Sequence, residues 1–238
     1  MLLKPDRSFY ICCTVMAIIL NIETATTNCS VSIGKEGRMI ALREQDSASY
    51  SHSEDLHFFI KESLDAASIA TDDLDAIAVS KGPGSYTGLR IGVSAAKGLC
   101  FALDLPLIGI STLASMASQL KLKDGLVIPV LDARRMEVYS AVFNTNYEQV
   151  RETIVEEVKP DSFAQFAKQG PVFIIGSGAV KCRESLDHPN FIFDDSIVPS
   201  AKEMCQFSYQ TFRANNFENT AYFEPDYLKD FIVIQSKK

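Results

Sequence analysis

The 238-residue chain is 47% hydrophobic and 22% charged, with a formal net charge of −7 and a sequence pI near 5.0. That length buries a full core, as one large domain or two small ones. The acidic balance argues against a large stand-alone nucleic-acid footprint, which needs clustered Lys and Arg, and leaves room for work in a nucleic-acid pathway beside a basic partner.

Residues 1–16 are read as an extension ahead of the fold, with Met16 as the natural start. Lys4 and Arg7 precede "FYICCTVMAIIL", about the length of a signal-peptide core, and Ala25 would sit near a cleavage site. Cleavage there would remove "AIILNIE", the opening strand. The apolar run is too short to span a membrane, and a cytoplasmic protein without membrane contact is expected. Cys12, Cys13, Cys29, Cys100, Cys182 and Cys205 form no C-x-x-C pair, so buried thiols in a reducing compartment are expected, with no zinc or disulfide framework.

"AIILNIE" is followed by the polar turn "TATTN" and the alternating strand "CSVSIG", and "GKEG" signals a hairpin into "RMIALREQ". The helix "HSEDLHFFIKESLDAA" carries an apolar stripe of Leu56, Phe59, Ile60, Leu64 and Ala67. Ser51 and Glu54 make a capping box at its start. Strand "AIAVS" enters the glycine-rich "KGPGSYTG", and a second helix runs to Leu99. Strand "LIGI" and helix "STLASMASQL", N-capped by Ser111 or Thr112, close the first run.

The second run repeats the first. "IPVLDARRMEVYSAVFN" matches "ILNIETATTNCSVSIG": each is a strand ending in an acid, a short turn and an alternating strand. "EQVRETIVEEV" supplies a third strand, a helix starts near Pro160, and "VFIIGSG", "FIFDD" and helix "AKEMCQFSYQTFRANN" follow. Two facing βββαβα halves, 17–110 and 111–238, predict the α/β actin/Hsp70-like (ribonuclease H-like) architecture with a cleft between them.

In that architecture a nucleotide-using enzyme offers an acid and a glycine-rich turn from each half. Glu23 and Asp132 supply the acids, but "TATTN" and "ARRM" contain no glycine, so the backbone cannot easily wrap phosphates. Glu23, Asp132, Gly176 and Gly178 are therefore at most vestiges of a nucleotide site, and no cofactor is expected. Gly82, Gly84 and Gly88 match neither the dinucleotide nor the Walker pattern.

Gly88, Gly92 and Ala96 recur every four residues, a small-residue strip that lets another backbone approach. It suits a helix of the same chain, a subunit or an anion; with Leu56 and Phe59 it is taken as a partner interface. His52 and His57 stand at i, i+5, about 140° apart on a helix, and share no metal. Ser85 lies outside the G-x-S-x-G elbow.

"GPGSYTGLRIG", with "ILNIETATTNCSVSIG", "SHSEDL", "LDARRMEVY" and "EPDYLKDF", closely resembles the bacterial TsaB (YeaZ) family over residues 17–231. Tyr86 replaces the Phe common there. The resemblance implies a non-catalytic subunit for making N6-threonylcarbamoyladenosine at position 37 of tRNAs reading ANN codons. It implies pairing with a catalytic TsaD-type subunit, help from a TsaE-like ATPase, indirect tRNA contact through the complex, and a possible homodimer when alone. TsaD-type proteins carry an H-x-x-x-H metal motif; here His52 is followed by Leu56. The alternatives are a stand-alone ATP-binding enzyme of the same superfamily and a metallopeptidase.

Overall fold

A computed structural model describes residues 16–47 and 52–229. Residues 1–15 and Ser51 of the capping box lie outside them. The first sheet comprises β1 (Ile18–Glu23), β2 (Asn28–Lys35), β3 (Arg38–Asp46), β4 (Ala76–Gly82) and β5 (Leu107–Ser111), in spatial order β3-β2-β1-β4-β5. The second comprises β6 (Leu126–Asp132), β7 (Glu137–Phe143), β8 (Gln149–Glu157), β9 (Val172–Ile175) and β10 (Phe191–Asp194), in order β10-β9-β6-β7-β8. Reversing the second list reproduces the first. In each sheet the leading strand pairs antiparallel with the next and parallel with the fourth. This is the two-half actin/Hsp70-like fold.

β1 lies at the centre of its sheet, which is why "IILNIE" is apolar almost throughout and buried. Glu36 and Gly37 both take positive φ between β2 and β3, as a tight hairpin turn requires. On one face of the first sheet, Cys29, Val31 and Ile33 meet α1 (His52–Ala67) and α2 (Tyr86–Leu103) in a core that includes Leu56, Ile60, Val93 and Ala96. Burial pushes the thiols of Cys29 and Cys100 up to about 12, the inert state expected of them.

The opposite face carries the first departure from the sequence reading. α6 (Ala201–Arg213), assigned by chain order to the second half, lies on the first sheet. Ala201 and Met204 pack with Ile19, Ala76, Ala78, Ile108 and Ile110. The polar residues alternating along β2 are sealed beneath it: Ser32 Oγ donates to the Ala201 carbonyl at 2.7 Å, and the Ala201 N–H donates to Ser30 Oγ at 3.0 Å. α3 (Thr112–Ala117), N-capped by Ser111, does the converse: Leu113 and Met116 pack with Val127, Leu131 and Phe143 of the second sheet. The remaining face of that sheet meets α4 (Ala164–Ala167) and α5 (Ala179–Ser185). α4 is one turn where the sequence suggests a longer helix, and α5 is absent from the sequence reading. No helix among the described residues is long and apolar enough to cross a membrane.

Candidate functional site

The two acids end matching strands, as the sequence suggests, but only one reaches solvent. Glu23 is wholly buried. One carboxylate oxygen accepts from the Ala25 N–H at 2.7 Å, and the other has no hydrogen-bond partner among the described residues. Burial raises its pKa to about 7, against smaller opposing contributions from the Ala25 N–H, the Ser80 hydroxyl and the Thr24 N–H. The carboxyl does not line an open nucleotide cleft.

The turn that follows it is closed by α2. Thr24 Oγ1 donates to the Gly88 carbonyl at 2.8 Å, and the Ser85 N–H donates to the Ala25 carbonyl at 2.6 Å. Ser85 also N-caps α2 by accepting from the Gly88 N–H at 3.2 Å. A Cβ on Gly84 would lie 2.5 Å from the Ala25 carbonyl oxygen, and one on Gly92 would collide with Thr24 Oγ1. The small-residue strip thus serves this chain's own first turn. Gly88, Gly92, Ala96 and Leu56 are buried, which overturns their reading as a partner surface; Phe59 is half-buried against the same core.

The apolar surface that stays accessible is displaced by one residue along α2. Ile91, Ala95, Leu99 and Leu103 also repeat every four residues and are only partly buried. Beyond them, Phe58 on α1 is 69% exposed and Phe101 on α2 is 90% exposed.

At the second turn Asp132 is exposed. It accepts from Lys181 Nζ at 2.8 Å and from the Arg134 N–H at 2.6 Å. Arg134 and Arg135 both sit in the left-handed region, at φ 68° and 51°. Gly176 and Gly178, candidates for an adenosine-side turn, are used internally: their N–H groups donate to the carbonyls of Asp194 and Val130. A Cβ on Gly176 would strike Met116, and one on Gly178 would approach Val138 to 2.9 Å. Neither is open to a ligand.

A C-terminal strap joins the turns, which sequence reasoning missed except through the resemblance of "EPDYLKDF". The Asp226 N–H donates to the Lys81 carbonyl at 2.7 Å. The Tyr227 hydroxyl accepts from Arg90 Nε at 3.2 Å, and its ring lies 4.9 Å from that of Tyr86. Lys229 donates to the Ala133 carbonyl at 2.8 Å and pairs with Glu137.

A groove of about 370 Å³ runs beside the end of β2, lined by Asn28, Glu44, Asp46, Gln119, Ser200 and Glu203 among others. Glu44, Asp46 and Glu203 outnumber Lys202 in its lining, which leaves it net acidic, the sign that repels phosphate. Among the described residues no group of His, Cys, Asp and Glu is arranged to hold a metal. His57 is exposed, and His188 Nδ1 accepts from the Asn190 N–H at 3.2 Å.

Residues 45–231 match the family model for TsaD, tRNA N6-adenosine threonylcarbamoyltransferase. The chain is 30% identical to the tRNA threonylcarbamoyladenosine biosynthesis protein TsaB of Haemophilus influenzae, over 90% of this chain and 94% of that protein. It is 34% identical to TsaB of Bacillus subtilis over 66% of this chain and 70% of that one. A crystal structure from Pseudomonas aeruginosa, described as an uncharacterized protein with similarity to peptidase YeaZ, superposes with a TM-score of 0.80. It shares 26% identity and covers 90% of this chain and all of that one.

Proposed function

This chain belongs to the TsaB (YeaZ) family, and from that premise we propose that it is a non-catalytic scaffold in the cytoplasmic synthesis of threonylcarbamoyladenosine on tRNA. It pairs with a TsaD-type catalytic subunit, with a TsaE-like ATPase acting on the pair and tRNA reached through the complex. The pairing surface is the outer seam of α1 and α2, and in the absence of the partner the same seam takes a second copy of the chain.

The observation that carries this reading is the exposed Phe58 beside the half-buried Phe59 and the strip Ile91, Ala95 and Leu99. Phe59, Ile91, Ala95 and Leu99 pack on the core with only part of their surface and leave the rest accessible, and Phe58 stands outside it altogether. Apolar surface left accessible on two neighbouring helices marks an interaction surface. A scaffold role, and not the stand-alone ATP-using or peptidase alternatives, is supported by the sealed Glu23, the glycine-free turns and the acidic groove.

The test is capture of the TsaD-type subunit of the same organism by the full chain and by Phe58→Asp. Phe58 is exposed, so the variant should keep its melting temperature within a few degrees and lose capture. Undiminished capture by the folded variant rules out this face.

A further inference from the structure

The rim beside the second turn has a use that neither fold nor scaffold role demands. Arg134 and Arg135 are consecutive, exposed and held in a left-handed backbone that L residues rarely adopt. Strain of this kind is kept where the surrounding structure fixes it, commonly at functional sites. Here the fixing is visible. The Ala133 N–H donates to the Glu137 carbonyl at 3.0 Å, the Arg134 N–H to Asp132 at 2.6 Å, and Lys229 Nζ to the Ala133 carbonyl at 2.8 Å.

The acids at the turn are already neutralised. Asp132 is paired with Lys181, and Glu137 with Lys229. The hydrogen bond from Lys229, with further help from Lys229, Arg135 and Lys181 as charges, holds the Glu137 carboxyl below its ordinary range. Neither arginine forms an ion pair among the described residues. A third arginine is tied to the same strap: Arg90 bonds to Tyr227, whose Cα is at most about 7 Å from that of Lys229, the residue held by the second turn. Its guanidinium lies 4.3 Å from the centre of the Tyr86 ring.

We propose that Arg134, Arg135 and Arg90, with the rings of Tyr86 and Tyr227, form a contact surface for an RNA strand. The inference rests on the proposed place of this chain in tRNA modification. Guanidinium forks match phosphate oxygens in two-point fashion, and aromatic rings beside cations are the means by which proteins hold unpaired bases. The chain as a whole is acidic, so the rim is a local attraction within a repulsive body. It therefore orients RNA brought by a partner, in place of capturing it alone. An acidic protein surface would satisfy the arginines but would make no use of the two rings.

The experiment compares the full chain with the double variant Arg134→Gly, Arg135→Gly, each assembled with the TsaD-type subunit. Glycine tolerates the left-handed backbone, so the turn keeps its shape while both charges go. The probe is an unmodified transcript of a tRNA reading an ANN codon, titrated between 50 and 200 mM salt. Two lost phosphate contacts should lower the slope of log affinity against log salt by about 1.4–1.8. Arg90→Gln should lower it by a further 0.7 or so. An unchanged affinity and slope in the double variant, with capture of the TsaD-type subunit intact, overturns the proposal. So does a double variant that loses the subunit but not the RNA, which identifies an acidic protein surface. If the unaltered chain captures no TsaD-type subunit, the scaffold reading fails first, and the rim, which acts only on RNA brought by that partner, falls with it.

Discussion

Glu23 and Asp132 end the leading strands of two sheets with the same strand order, and each is followed by a turn into an antiparallel neighbour. The first acid is sealed and the second stands in solvent. The difference arises in the helix that follows the fourth strand of each half. The third residue of α2, Gly88, accepts the Thr24 hydroxyl on its carbonyl, and Gly84 and Gly92 on either side leave room for α2 to close over the turn. The third residue of α5 is Lys181, whose side chain reaches out to Asp132 and leaves that turn open. A duplicated topology has thus been used once for packing and once for a charged surface.

The largest effect expected on this contrast comes from opening the sealed turn. Gly92→Leu places a branched side chain where even a Cβ collides with Thr24 Oγ1. Overpacking typically costs about 1–3 kcal/mol, and this site belongs at the upper end because the Thr24 hydroxyl it displaces is itself bonded to the Gly88 carbonyl. Urea denaturation should show the loss. A variant as stable as the parent would mean that α2 is not held against the first turn.

Glu23→Gln comes next, and its effect depends on pH. A carboxyl whose folded pKa of about 7 lies above its ordinary 4.5 binds its proton more tightly when folded. Its contribution is fully favourable below 4.5 and is lost as pH rises through about 7. The parent should therefore lose on the order of 2–3 kcal/mol between pH 4.5 and 8 relative to the glutamine variant. The two should melt together near pH 4.5, and the variant should be the more stable at pH 8. Parallel stability profiles would place Glu23 in contact with water.

The smallest effect belongs to the open turn. Asp132→Asn removes a pair with Lys181 in which the carboxylate is roughly half exposed. Surface pairs of this type contribute at most about 1 kcal/mol, and the change in urea midpoint should be correspondingly small. A loss as large as that from Gly92→Leu would erase the distinction between the turns.

Both strand-terminal acids, the glycine-free turns and the repeat itself are legible in the sequence because each is a local pattern. The face of α2 is not. Gly88, Gly92, Ala96 and Cys100 form one four-residue repeat, and Ile91, Ala95, Leu99 and Leu103 form another beside it. Periodicity gives two adjacent apolar strips without saying which turns inward. The answer lay in Thr24 and Ala25, more than sixty residues away in the chain, which need a helix without side chains against them. α5 is not legible because seven residues carry too little periodicity to separate helix from loop. Ser30 and Ser32 show a further limit of local pattern. Alternation of polar and apolar residues ordinarily signals a wet sheet face, whereas here the hydroxyls are satisfied by the start of α6.

That crossing of α6 onto the first sheet also sets the order in which the molecule can be completed during synthesis. When Ser111 has left the ribosome every strand of the first sheet exists, yet Ile19, Ile108 and Ile110 still lack their cover. About a hundred further residues must be translated before Arg213 appears, roughly 5–20 s at ordinary elongation rates. Through that interval the nascent first half presents an uncovered apolar sheet face, of the kind chaperones bind and aggregation exploits. The stretch between Ser111 and Ala201 therefore acts as a timer on the vulnerability of the part made first.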